Sequence, residues 1–182
     1  ILQNLDTSFQ KIDELPFDFE RRRMSVIVKD DSNVVSMVTK GALEEMLTIS
    51  THVEYRGEVI PLTEDIRQEV LAEVGQLNRQ GLRVLGVGYK SGLREDYAYA
   101  VTDESDMILT GYLAFLDPPK PSAAPAIQAL LEHGVRTKIL TGDNEKVTQA
   151  ICEKVGLDVE QMLLGADIDQ MTDQELAEAV ES

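Results

Sequence analysis

Asp117-Pro118-Pro119-Lys120-Pro121 divides the chain into two kinds of sequence. Three prolines in these five positions make a stiff boundary that continues neither a helix nor a strand ladder. Downstream, a helical pattern of about ten residues closes at Gly134, and the apolar stretch Val135 to Leu140 reads as a strand. Thr141-Gly142-Asp143-Asn144 then leads into a helix with Val147, Ala150, Ile151 and Val155 on one face, closed by Gly156. Helix, strand, loop, helix is the order of a parallel α/β sheet.

Upstream, the pattern is that of hairpins. Met24 to Val28 and Val34 to Lys40 read as strands joined by the turn Asp30-Asp31-Ser32-Asn33. Gly41 to Ser50 reads as a short helix, and Tyr55-Arg56-Gly57-Glu58 as a second turn between short strands. Thr63 is a plausible N-cap for a helix carrying Ile66, Val70, Val74 and Leu77, with Gly81 at its C-terminal end. Val84 to Tyr89 and Met107 to Leu116 complete the strands. The expected fold is α/β: residues 1–116 form an α+β domain with an antiparallel sheet flanked by helices, and 117–182 a partial parallel α/β segment.

Composition bounds the function. With 43% hydrophobic residues among 182, a packed core is available. No run approaches the roughly 18 apolar residues of a membrane span, so direct membrane insertion is not expected. The N-terminus carries no signal pattern, and Ile1 suggests a chain excised from something longer. The net charge of −16 makes nucleic acid a poor partner. Half of that charge lies after Gly156, in a tail without Lys or Arg. Cys152, the single cysteine, excludes a disulfide framework and reads as a packing residue. His52 and His133 read as surface or helix-end residues.

Three places can carry chemistry. The Thr141-Gly142-Asp143 loop follows a strand and precedes a helix, where phosphate binds readily; alternatively, Asp143 simply caps that helix. In Leu15 to Met24, Phe17 and Phe19 lie beside Arg21, Arg22 and Arg23. Rings suit a base and guanidinium groups suit phosphates, although core phenylalanines beside a solvated basic edge would give the same string. At Lys40-Gly41-Ala42, a glycine without Cβ lets a flat ligand approach the backbone, and Lys40 either reaches a ligand anion or is simply solvated.

Pro16-Phe17-Asp18, Lys40-Gly41-Ala42, Gly81-Leu82-Arg83-Val84-Leu85, Asp117-Pro118-Pro119-Lys120 and Thr141-Gly142-Asp143-Asn144, in that order, resemble the P-type ATPases. Phe17-Asp18-Phe19-Glu20-Arg21-Arg22-Arg23-Met24-Ser25-Val26, paired with Gly111-Tyr112-Leu113-Ala114-Phe115-Leu116-Asp117-Pro118-Pro119-Lys120, resembles their bacterial magnesium-transporting branch. The resemblance implies a nucleotide-binding domain at 1–116, followed by part of a phosphorylation domain of haloacid dehalogenase type at 117–182. It implies that Phe17 stacks on adenine, Arg22 lies by the nucleotide, Lys40 lines the adenine pocket and Gly41 shapes it. Arg83 would contact the phosphates and Asp117 sit at the interdomain hinge. Thr141, Gly142 and Asp143 would support phosphorylation.

The family's phosphorylated aspartate lies in Asp-Lys-Thr-Gly and its magnesium site in Gly-Asp-Gly-x-Asn-Asp, and neither string occurs here. The resemblance places them, with one acid of the adenine pocket, before Ile1 or after Ser182. The implied function is ATP binding, with Mg2+ as cofactor, within a cation transporter on the cytoplasmic face of the inner membrane. Its partners would be the remaining phosphorylation, actuator and membrane domains. The alternatives are a soluble haloacid dehalogenase-like phosphatase fragment and a non-enzymatic acidic interaction module.

Overall fold

The computed structural model describes residues 8–159 and 161–181. Packing divides the chain into two units, one of residues up to Leu77 with Arg83–Phe115, the other of Asn78–Leu82 with the residues from Leu116 onward.

The first unit is built on a seven-stranded sheet of β1 (Phe9–Asp18), β2 (Arg23–Asp30), β3 (Val35–Ala42), β4 (Ser50–Tyr55), β5 (Glu58–Pro61), β6 (Leu82–Ser91) and β7 (Met107–Leu116). Their order is β1-β2-β3-β6-β7-β4-β5. β1 pairs antiparallel with β2, β2 with β3, β3 with β6 and β4 with β5, while β4 lies parallel to β7. The sheet is therefore mostly antiparallel, as the hairpin pattern requires. Asp30 Oδ1 accepts hydrogen bonds from the backbone N–H of Ser32 (2.9 Å) and Val34 (2.8 Å), closing the turn between β2 and β3.

Helices α1 (Leu43–Ile49) and α2 (Glu64–Arg79) share an apolar cluster in which Leu43, Met46, Leu47 and Val74 pack with Leu109 of β7. Thr63 begins α2 as expected, its hydroxyl accepting from Ile66 N–H at 3.4 Å. α1 lies close on β6, because a Cβ at Gly86 would stand 2.9 Å from the Met46 side chain. A second cluster joins Leu15, Ile27, Val35, Met37 and Met107 to Leu93 and Tyr99. Those last two belong to the long connection from β6 to β7, which covers this cluster together with Ile49 at the end of α1.

The second unit contains α3 (Ala123–Glu132), α4 (Glu145–Val155), the short α5 (Gly165–Ile168) and α6 (Asp173–Glu181). α4 buries Val147, Ala150, Cys152 and Val155, and Gly156 ends it in the left-handed conformation at φ 72°. Burial pushes the Cys152 thiol pKa up, in keeping with a packing role. His133 caps α3, its Nδ1 donating to Ala129 O at 2.7 Å.

One expectation fails. Val135 to Leu140 carries no strand, and Leu140 is 96% exposed. A strand needs a neighbour to satisfy its N–H and C=O groups, and the described residues of this unit contain no other strand to pair with.

Candidate functional site

β2 and β3 pair Arg23 with Gly41, Met24 with Lys40 and Ser25 with Thr39. Because side chains alternate, Gly41 and Thr39 face the core while Met24 and Lys40 face the opposite side. Lys40 also pairs with Val87 of β6, so Met24, Lys40 and Val87 form one cross-strand row. β1 extends that row through an irregularity. Leu15 pairs with Ser25 and Asp18 with Arg23, leaving Pro16 and Phe17 together opposite Met24. The extra residue turns Phe17 out of the core: it is 52% exposed, with Phe19 edge-on to it at a centroid distance of 5.2 Å. Neither phenylalanine is a core residue. Further along β6, Val84, Gly86 and Gly88 face the helices, so Arg83, exposed, shares the face of Val87 and Lys40. At about 3.3 Å per residue, Arg83 lies roughly 13 Å from Val87.

Gly41 has a packing reason of its own. A Cβ there would stand 2.4 Å from Arg23 Cβ and 2.6 Å from Arg22 O. The room expected for a flat ligand against its backbone is taken by the incoming β2 strand, and Ala42 N–H donates to Arg22 O at 3.0 Å.

The arginine run is largely neutralised within the protein. Glu104 has a fully buried side chain, and its Oε2 accepts from Arg21 Nη1 at 2.6 Å and Arg23 Nε at 2.8 Å. Its Oε1 accepts from Ser25 Oγ at 2.6 Å, and that hydroxyl also bonds Thr39 at 2.8 Å. Burial pushes the Glu104 carboxyl up, but the hydrogen bonds from Ser25, Arg21 and Arg23 outweigh it and hold the pKa below its ordinary value. Arg22 points elsewhere: Nη2 donates to Glu45 Oε1 at 2.7 Å, yet the side chain stays 48% exposed. Arg22 occupies the left-handed region at φ 48°, held by its N–H to Asp18 O at 2.7 Å. Asp18 Oδ1 accepts from the N–H groups of Glu20 (2.7 Å) and Arg21 (3.1 Å). These backbone bonds, Arg21 first, lower the Asp18 pKa. Glu104 and Glu45 were not singled out from the sequence, and Asp18 entered only as part of the Pro16-Phe17-Asp18 motif, with no role of its own. Asp18 alone had a local signal, an Asx residue opening a turn.

In the second unit, Thr141, Gly142 and Asp143 lie in the loop before α4. Capping falls to Asn144, whose Oδ1 accepts from Lys146 N–H at 3.0 Å, and not to Asp143. The Asp143 N–H donates to Thr141 Oγ1 at 3.1 Å. Asp117 is exposed, one residue beyond β7.

Comparison with known proteins identifies the family. The family described as "P-type ATPase, cytoplasmic domain N" matches residues 1–122. The chain is 49% identical over 175 residues to the "Magnesium-transporting ATPase, P-type 1" of Salmonella typhimurium (strain 14028s / SGSC 2262), covering 96% of this chain and 19% of that protein. It is 47% identical to the protein of the same name from Escherichia coli (strain K12), covering 96% of this chain and 20% of that one. Identity is 31% to "Calcium-transporting ATPase 1" of Bacillus cereus (strain ATCC 10987 / NRS 248), covering 97% and 20%. The chain thus spans about a fifth of the length of these curated relatives. Together with the mostly antiparallel sheet and its flanking helices, the match assigns the chain to the P-type ATPases, with residues 1–122 as their cytoplasmic domain N.

Proposed function

We propose that residues 1–116 bind ATP within a magnesium-transporting ATPase, and that 117–182 are part of its phosphorylation domain. The observation that carries this reading is the placement of Phe17, Lys40 and Arg83 on one face of the sheet. An exposed ring beside Met24 and Val87 suits adenine, and stacking contributes roughly 1–3 kcal/mol per base. Lys40 borders the base, Arg22 lies at the turn beyond Phe17, and Arg83 contacts the phosphates. Gly41 shapes the site indirectly, by letting Arg22 and Arg23 close against β3.

The γ-phosphate is then presented to an aspartate outside these 182 residues, which contain no Asp-Lys-Thr-Gly string. Thr141, Gly142 and Asp143 support that acceptor, and Asp117 serves as a hinge. Mg2+ accompanying ATP lowers the charge repulsion between phosphate oxygens and the attacking carboxylate. Among the described residues no group of three or more His, Cys, Asp or Glu side chains is placed to hold a metal ion, so no protein ligand is assigned to it. No described helix is long and apolar enough to cross a membrane. Work on the cytoplasmic face, with the membrane path supplied by the rest of the parent protein, fits that observation. Magnesium is preferred to calcium as the cargo because the magnesium transporters are nearer in sequence, at 49% against 31% identity.

The test is titration of the 15N-labelled chain with ATP. Shifts concentrated at Phe17, Met24, Lys40 and Val87 are expected. Saturable shifts confined to other elements, or none at all, would overturn the reading.

A further inference from the structure

The proposed site leaves one buried charge unexplained. Glu104 lies on the core side of the sheet, and its carboxylate, with no exposed surface, is engaged by Arg21, Arg23 and Ser25. It therefore has no oxygen to offer a ligand on the opposite face. What it does hold is the chain segment carrying the exposed aromatic residue. Arg21, anchored by Nη1 on Glu104, donates through Nη2 to Pro16 O at 2.8 Å. Pro16 is the residue beside Phe17 in the two-against-one step of β1. Arg23, on the same carboxylate oxygen, begins β2 and sits against Gly41. Glu104 thus ties together both ends of the turn that displays Phe17 and Arg22.

The loop bearing Glu104 is itself held. Lys90 of β6 donates through Nζ to the carbonyls of Asp103 and Ser105, on either side of Glu104. Asp103 closes the Val101–Asp103 turn by accepting from Ala100 N–H at 2.8 Å. A carboxylate buried without water is tolerated when its lone pairs are filled and its charge is matched. Here it is held at both levels, the side chain by three donors and the backbone by Lys90.

We propose that Glu104 is a positioning residue for nucleotide binding: through Arg21 and Arg23 it fixes the Pro16 to Arg22 segment so that Phe17 presents its ring to the base. This rests on the ATP-binding reading above. Glu104→Gln keeps the shape and an acceptor but removes the counter-charge of Arg21 and leaves Arg23 only the more distant Glu45, at 3.8 Å, so the turn loosens before the sheet does. A role through Phe17 also has a signature that a purely structural role lacks, because contributions made through the same group are not additive.

The experiment compares wild type, Glu104→Gln, Phe17→Ala and the double variant, each titrated with adenosine and with ATP by 15N NMR. Glu104→Gln is expected to keep a dispersed spectrum and to weaken adenosine by roughly tenfold, within the usual range of coupling between linked residues. In the Phe17→Ala background the same substitution should change adenosine affinity by less than about twofold. Equal losses in both backgrounds, or wild-type affinity in Glu104→Gln, overturn the proposal. If Glu104→Gln loses its dispersed spectrum, Arg21→Gln cuts the same link at the Pro16 carbonyl and is held to the same criteria. Wild type that binds neither ligand sinks the ATP-binding reading and this inference together. Wild type that binds, with a weakened Phe17→Ala and an unchanged Glu104→Gln, sinks this inference alone.

Discussion

The Arg21 guanidinium donates to the Glu104 carboxylate at 2.6 Å across 83 positions of sequence, and the carboxylate it meets has no exposed surface. The same oxygen serves Arg23. A run of three arginines that looks like a basic patch is thereby turned largely inward, and Arg22 remains as its half-exposed member.

The Glu104 pair should be visible as acid sensitivity. Its carboxyl titrates below its ordinary 4.5 in the folded state, because hydrogen bonds from Ser25, Arg21 and Arg23 outweigh the opposing effect of burial. A group whose pKa is lowered by folding contributes stability that is complete above the unfolded pKa and is lost as pH falls through the folded one. The urea midpoint of the wild type should therefore drop below about pH 4.5 more steeply than that of Glu104→Gln. At neutral pH, Glu104→Ala should cost roughly 3–5 kcal/mol, as when one partner of a buried pair is removed. Parallel midpoint curves for wild type and Glu104→Gln across that acid range would show that the pair contributes nothing.

Phe17→Ala should weaken ATP and adenosine alike, by roughly five- to a hundred-fold, from a stacking contribution of about 1–3 kcal/mol at ~1.4 kcal/mol per decade. The ring is 52% exposed, so the urea midpoint should barely move. Calorimetric titration with both ligands checks this. Unchanged affinity would remove the base from this face of the sheet.

Arg83→Ala should weaken ATP more than adenosine. Its guanidinium is assigned to phosphate, and charge-assisted hydrogen bonds act only when the phosphate is present. Equal losses for the two ligands, read by the same titrations, would show that Arg83 serves the fold instead.

Gly41→Ala should lower stability in the absence of any ligand. Its Cβ would meet Arg23 Cβ at 2.4 Å and Arg22 O at 2.6 Å, and one of these contacts is backbone that cannot swing away. Overpacking of this kind costs roughly 1–3 kcal/mol. At about 2–4 °C per kcal/mol for a chain of this size, melting should fall by roughly 2–12 °C. An unshifted melting curve would mean that β2 and β3 separate at little cost.

Incubated with γ-labelled ATP and Mg2+, the chain should acquire no acid-stable label. In-line transfer needs a nucleophile and positioned cations together, and the family's aspartate motif is missing from these residues. A hydroxylamine-sensitive label on this chain would favour the phosphatase alternative.

Much of the fold follows from short-range pattern. Asp30-Asp31-Ser32-Asn33 closes the β2–β3 hairpin, and Arg56 and Gly57, at φ 54° and 83°, close the β4–β5 hairpin. Thr63 opens α2, Gly156 closes α4, and the strand Met107–Leu116 appears at its expected limits. Each depends on neighbours a few residues apart, whose chemistry is written side by side in the chain. Phe17, Lys40 and Arg83 are singled out in the sequence as candidates by ordered motifs, which say nothing about the face each side chain takes.

Tertiary structure decided what depends on distant partners. Phe17 is exposed because a bulge displaces it, while a regular continuation from the buried Leu15 would have turned it toward the core. β4 lies parallel to β7 although β5, α2 and β6 intervene in sequence. Val135 to Leu140 is apolar enough for a strand but has no partner to pair with among the described residues, and periodicity cannot supply one. Asn144 caps α4 in place of Asp143, a difference of one position that only the backbone geometry resolves. Glu104 stands in a loop with no motif around it, and burial beneath Arg21 and Arg23 makes it a buried counter-charge instead of a surface acid. A side chain's charge is written in the sequence, but its solvation and its partner depend on which distant segment folds over it.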